Sequence, residues 1–150
     1  MDNLESTLAA HPFLAGLSAQ HLQLVAPCAS LTNFPANHTI FAEGEEARQL
    51  YLLRYGRVAV EIHRPRRGHK TVYTLGEGDV LGISWLEPQQ FFFDARTLEI
   101  TRAIALDLAC MNRLGEDHRD LGYELLKRFV LAQAKKLKLL KLQLVDFYGS

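Results

Sequence analysis

The chain has 150 residues, of which 48% are hydrophobic, and it carries 17 Lys plus Arg against 17 Asp plus Glu. That length and apolar share suit one domain with one core and exclude a disordered chain. A formal charge of zero excludes the global electrostatic footprint of a nucleic-acid binder, while leaving room for a local basic patch. The two cysteines, Cys28 and Cys110, show no metal-type or redox-type spacing and read as two buried thiols of a reducing compartment. No apolar run approaches the about 20 residues of a membrane helix. The N-terminal stretch MDNLESTLAAHPFLAG is acidic where a secretory leader is basic. The expected location is therefore the cytoplasm.

In chain order, Ser6 to Pro12 reads as a short helix. Ser18 reads as an N-cap, followed by Leu22, Leu24 and Val25 on one helical face; Pro27 ends that helix. From Leu31 the period changes. HTIFAEGEEARQLYLLRYGRVAVEIHRP alternates short apolar runs with glycine punctuation. Strands are expected at Ile40–Phe41, Gln49–Arg54 and Val58–His63, the last with Val58, Val60 and Ile62 on one face. RPRRGH reads as a polar hairpin loop before a returning strand at Thr71–Leu75. Gly76, Gly78 and Gly82 punctuate the next turn. Further strands are expected at Thr97–Thr101 and Ala103–Leu106. Many short strands with close turn signals indicate a sandwich, barrel or jelly roll.

From about Leu108 the pattern becomes helical. GEDHRD (115–120) reads as a helix start, with Glu116 and Asp117 near the N-terminal dipole. From Tyr123 to Tyr148 there is no Gly or Pro. Leu121, Leu125, Phe129, Ala132, Leu137, Leu140, Leu144 and Phe147 recur at roughly 3–4-residue spacing. This predicts one amphipathic helix of about 25 residues, about 37 Å long.

The order helix, β-roll, long helix resembles the cyclic-nucleotide-binding domain family. That family includes effector domains of catabolite-activator-type bacterial regulators, protein kinase A regulatory subunits and cyclic-nucleotide-gated channels. Three stretches carry the resemblance: HPFLAGLSAQHLQLVAP for the entry helices, IFAEGEEARQLYLLRYGRVAVEI for the strand core, and LGEGDVLG for the turn into the phosphate-binding cassette. The resemblance implies a mainly β fold, a double-stranded β-helical, jelly-roll-like roll with flanking helices. It also implies a single domain: entry helices over about residues 1–30, the roll over 31–107 and C-terminal helices over 108–150.

The cassette positions that the resemblance carries over are Gly78, Gly82, Ile83, Ser84, Trp85, Phe93, Asp94, Ala95 and Arg96. In the family a short helix presents N–H groups to a cyclic phosphate, an arginine pairs with that phosphate, and a glutamate accepts from the ribose hydroxyl. Here Ile83 stands at the glutamate position. Phe93 stands at the arginine position, and Asp94 beside it brings a carboxylate where a small hydroxyl belongs. Losing the charged bond removes about 1.5–3 kcal/mol, and a carboxylate near the phosphate costs more. A register shift bringing Arg96 to the phosphate would restore part of this. Two readings remain open: a pocket filled by its own side chains, or one taking a more apolar ligand with Trp85 and Phe91 to Phe93 as walls.

Leu137, Leu140 and Leu144 continue the apolar stripe beyond a small body, with Leu139 and Leu142 widening it. They are expected to form a homodimer seam. Lys135, Lys136, Lys138 and Lys141 read as its solvated flank rather than a membrane or nucleic-acid face. The six histidines show no metal-type spacing and are expected mostly at the surface, with His63 and His69 paired across the hairpin. No nucleophilic triad or supported carboxylate pair is present. The expectation is a non-enzymatic regulatory module without cofactor or metal. It would have a homodimer or protein partner and a small-molecule effector, weak or null for cyclic AMP and cyclic GMP, with no helix-turn-helix after Ser150, no direct DNA binding and no membrane contact. The alternative is a purely structural interaction domain.

Overall fold

The computed structural model describes residues 4–82 and 89–148, apart from the Phe147 side chain. The expectations at Ile83, Ser84 and Trp85 lie outside the described residues. Two short helices open the chain, α1 (Leu4–Ala10) and α2 (Ala19–Val25), and a 3-10 turn follows at Ala26–Cys28. Ser18 caps α2, its Oγ accepting from the His21 amide at 3.1 Å. This satisfies one of the orphan donors at the helix start.

The strands are β1 (Ala29–Phe34), β2 (Thr39–Phe41), β3 (Gln49–Tyr55), β4 (Arg57–Arg64), β5 (Gly68–Gly76), β6 (Val80–Leu81), β7 (Asp94–Thr97) and β8 (Thr101–Asp107). They form two four-stranded sheets, ordered β1-β8-β3-β6 and β2-β7-β4-β5. Two helices close the chain, α3 (Leu108–Asp117) and α4 (Arg119–Tyr148). The mainly β roll with flanking helices is thus as the sequence indicates.

β3 explains how the two sheets make two cores. Leu52 and Leu53 are adjacent and both fully buried. A strand sends neighbours to opposite faces. Leu50 and Leu52 meet the helices in a cluster with Leu8, Val25, Ile104, Met111, Leu121, Leu125 and Phe129. Leu53 points into the roll, with Phe41, Val58, Val60, Tyr73, Leu75, Leu81, Phe91 and Ala95. Each such leucine stabilises the fold by about 2 kcal/mol through burial.

Several details differ from the sequence reading. Cys28 and Cys110 are not thiols: they form a disulfide across 82 residues. It ties the turn after α2 to α3, so the entry helices and the C-terminal helices share one covalent staple. Helical packing brings these two positions together, which sequence spacing does not register. The strand expected at Thr97–Thr101 is broken, because Leu98 and Glu99 form a bend that carries the chain from β7 in one sheet to β8 in the other. GEDHRD straddles a helix end: Glu116 and Asp117 close α3, and Asp120 is the acid of the first turn of α4. The register of β4 against β5 slips between Val60 and Glu61, where Val72 is the extra residue on β5, and Ile62 beyond the slip is half-buried and outside the roll cluster.

α4 has 30 residues, about 45 Å at 1.5 Å per residue. Arg128 anchors its first half, donating to the carbonyls of Phe13 and Ala15 at 2.8 and 2.7 Å. Beyond Leu140 every described side chain is exposed.

Candidate functional site

The glycine turn after β5 is built from Asp79. Its Oδ2 accepts from the Gly76 amide at 2.8 Å, and its own amide donates back to the Gly76 carbonyl at 3.0 Å. The Gly78 amide reaches the Leu53 carbonyl, and the Leu53 amide reaches the Asp79 carbonyl, both at 2.9 Å. β6 then pairs with β3 and delivers Gly82. Gly82 has φ +138°, and a Cβ there would lie 2.6 Å from Leu50 Cδ1. Only glycine fits that backbone and that contact.

Beyond the turn, Phe91 returns antiparallel to the Gly44–Glu45 segment, with N–H···O bonds of 2.7 and 2.8 Å. This places its ring on Phe41, with centroids 3.6 Å apart and planes 7° from parallel. Phe93 meets Tyr73 edge-on at 6.4 Å. Phe41, Val60, Tyr73, Leu81, Gly82, Phe91 and Phe93 line a roll cavity of about 10 Å³. That is room for about one water molecule, against about 300 Å³ or more for a small-ligand pocket. Burial pushes the Tyr73 phenol up to about 12, so it stays neutral.

Alternation along β7 separates the remaining cassette positions. Ala95 and Thr97 are fully buried on the inner side. Asp94 does not face the cavity: its Oδ1 accepts from the Glu43 amide at 2.7 Å and its Oδ2 lies 3.2 Å from His69 Nδ1. Arg96 shows no register shift towards the cavity either. It grips Glu61 with two bonds of 3.0 and 3.1 Å and reaches Asn37 Oδ1 at 3.1 Å. Glu61 holds the Arg96 guanidinium above its ordinary value. So Gly82 and Phe93 meet at the cavity with Ala95 in the same cluster, Gly78 shapes the turn, and Asp94 and Arg96 lie outside.

Sequence reasoning missed the groups that α4 sends to this site. Lys136 is not a solvated flank residue: it is 5% exposed. Its Nζ donates to the Gly82 carbonyl at 2.6 Å, with Gln133 Oε1 at 3.4 Å. Gln133 Nε2 donates to the same carbonyl at 3.1 Å. Lys135 pairs with Asp79 at the other end of β6. Burial pushes the Lys136 amine down to about 7, against the opposing pull of Asp79. The signal was legible: Lys136 falls on the buried 3–4 stripe between Ala132 and Leu140.

The expected seam residues divide. Leu137 and Leu144 are 66% and 59% exposed. Leu140, with Leu139, packs instead against the roll cluster. His11 is also buried, its Nε2–H donating to the Leu53 carbonyl at 3.0 Å while Nδ1 accepts from the Phe13 amide at 3.1 Å. His63 and His69 do pair, with rings 5.2 Å apart. Among the described residues no three His, Cys, Asp or Glu side chains are grouped to hold a metal ion, and no helix is long and apolar enough to cross a membrane.

The similarity to known proteins follows the same frame. CRP-like cAMP-activated global transcriptional regulators of two Mycobacterium tuberculosis strains are 28% identical over 96 residues, covering 63% of this chain and 43% of theirs. The chain thus spans less than half the length of these curated relatives. Among solved structures, a protein of Geobacter metallireducens GS-15 named for cyclic nucleotide binding is 24% identical with TM-score 0.79, covering 91% of this chain and 99% of that one. The Thermus thermophilus catabolite activator protein is 24% identical with TM-score 0.69, covering 91% of this chain and 63% of its own. These two likenesses concern the fold. The cyclic nucleotide-binding domain model matches residues 31–118, more than half of the chain and the whole of the roll from β1's third residue onward. The chain belongs to the cyclic nucleotide-binding domain family.

Proposed function

We propose that this chain is a non-catalytic regulatory module whose roll interior is closed to cyclic nucleotides and whose output runs through α4 as a homodimer. The observation that carries the first part is the cavity of about 10 Å³ behind the stacked Phe41 and Phe91 rings. The Mycobacterium tuberculosis relatives are named as cAMP-activated. Phe93, to which the family resemblance gives the phosphate-facing arginine position, lines that cavity, and Arg96 is committed to Glu61.

The dimer part is supported by α4. Tyr123, Val130, Leu137 and Leu144 are 70%, 58%, 66% and 59% exposed and stand seven residues apart. Residues seven apart lie on one side of a helix, and an apolar row at that spacing supplies one of the two apolar positions of a coiled-coil heptad. It replaces the expected Leu137–Leu140–Leu144 row, because Leu140 turns inward.

Isothermal titration with cyclic AMP and cyclic GMP tests the closed interior. No heat at millimolar nucleotide is expected. Micromolar binding would overturn the reading. Should the whole function be a structural contact, the same null result would hold and a partner would bind regardless of any change inside the roll.

A further inference from the structure

Three side chains within one turn of α4 hold both ends of one short strand. Gln133 and Lys136 converge on the Gly82 carbonyl after β6, and Lys135 pairs with Asp79 before it. Asp79 in turn holds the Gly76 amide. The glycine turn of the cassette and the long helix are therefore one hydrogen-bonded unit. Within that unit Lys136 differs from the other two. Lys135 is exposed and faces a carboxylate. The Lys136 amine is buried, and its bonded partners among the described residues are two neutral oxygens, the Gly82 carbonyl and Gln133 Oε1.

An ammonium without a bonded counter-ion is costly to bury, whereas a neutral amine makes the same N–H···O bonds with little desolvation cost. Among the described residues, the charged groups that share its cleft are Asp79 from the β5–β6 turn and Arg128 and Lys135 from its own helix. Asp79 is committed to Lys135 and to the Gly76 amide. Arg128 is committed to Glu124 and to the entry-segment carbonyls. His11, on the entry segment, also senses Asp79.

We propose that Lys136 makes the docking of α4 on the cassette turn proton-dependent, so that the helix is held when the amine is neutral and loosened when it is charged. This deepens the reading above, since it rests on α4 being the output element. It takes no stand on what the roll binds. The sign follows from linkage. Lys136 in a released helix titrates at its ordinary 10.5, and in the docked helix at about 7. Between these values the released state holds the extra proton. Docking is strongest at high pH and weakens as pH falls through that window to about 7. The docked-to-released ratio changes by up to about tenfold per pH unit within it.

The test uses the full chain and two measurements. The first is the ¹³Cε shift of Lys136 by NMR against pH, which needs no variant. A midpoint well below 10 is expected, and a midpoint near 10.5 would overturn the proposal. The second is hydrogen exchange over residues 129–141, corrected for intrinsic rates, between pH 7 and 9. Protection in the native chain should rise with pH by up to about tenfold per unit. In Lys136→Met, which keeps length and loses charge, it should be flat. A flat native profile, or an equal slope in Lys136→Met, would sink the proposal. The nucleotide titration reads the closed interior independently, so failure of one reading is distinguishable from failure of the other.

Discussion

Arg96 and Glu61 face each other across β7 and β4 as a two-bond pair of 3.0 and 3.1 Å, on the outer side of the sheet from the cavity. The Glu61 side chain is 9% exposed and that of Arg96 35%. The pair is a structural clamp, and its partly wet guanidinium limits what breaking it costs. Glu61→Ala should lower stability by about 2 kcal/mol, read as the shift of a urea midpoint at constant slope. Arg96→Ala should cost more than Glu61→Ala, because it leaves a nearly buried carboxylate on an inner strand without its partner, whereas the freed guanidinium can draw on water. An equal or larger loss for Glu61→Ala would contradict this account.

Phe41→Ala removes one ring of the stack that closes the roll. A buried Phe→Ala change costs about 3–5 kcal/mol, and the vacated volume stays apolar. The variant should gain affinity for a small apolar probe such as benzene, seen as a thermal-shift increase that the native chain lacks. It should still give no heat with cyclic AMP, since no cation faces the interior at Phe93.

Val130→Asp with Leu137→Asp places two charges in the middle of the exposed row. Both native residues are more than half exposed, so the fold should survive with an unchanged circular dichroism spectrum. Light scattering should show the mass falling from two chains to one. A native chain that is already monomeric at high concentration would refute the seam.

The disulfide closes a loop of 82 residues between the entry turn and α3. Replacing both Cys28 and Cys110 by Ser should cost about 2–4 kcal/mol and lower Tm by about 10 °C. Intact-mass analysis under alkylation, before and after reduction, reports whether the bond is present in the purified chain.

His11 links the entry segment to β3, and burial pushes its imidazole below its ordinary 6.5 despite the Leu53 carbonyl. The folded value is the depressed one, so between the two the unfolded chain holds the extra proton. The contribution of neutral His11 is complete above about pH 6.5. It is lost as pH falls below that and through the lowered folded value. Urea midpoints between pH 7 and 5 should fall more steeply for the native chain than for His11→Asn, which starts less stable at pH 7. Parallel slopes would place the acid sensitivity elsewhere.

Much of this protein was determined by local chemistry that a sequence displays. Ser18 caps α2 because its side chain accepts from the amide three residues on, whatever else the chain does. The strands of the roll follow from alternation and glycine turns, and α4 from an uninterrupted helical stripe. The reading of Phe93 at the family's arginine position is likewise a sequence reading, since it depends on residue type at a fixed distance from Gly82. Tertiary structure decided what depends on elements meeting. Cys28 reaches Cys110 only when α3 packs over the turn after α2. Asp94 and Arg96 turned away from the cavity because strand alternation in β7 set them opposite Ala95 and Thr97. Leu140 packs on the roll and Lys136 is buried because the helix turns that one stripe onto the roll, where the Gly82 carbonyl accepts from Lys136. Periodicity can say that a face is buried. It cannot say against which atoms, and it is those atoms that convert a surface lysine into a buried amine.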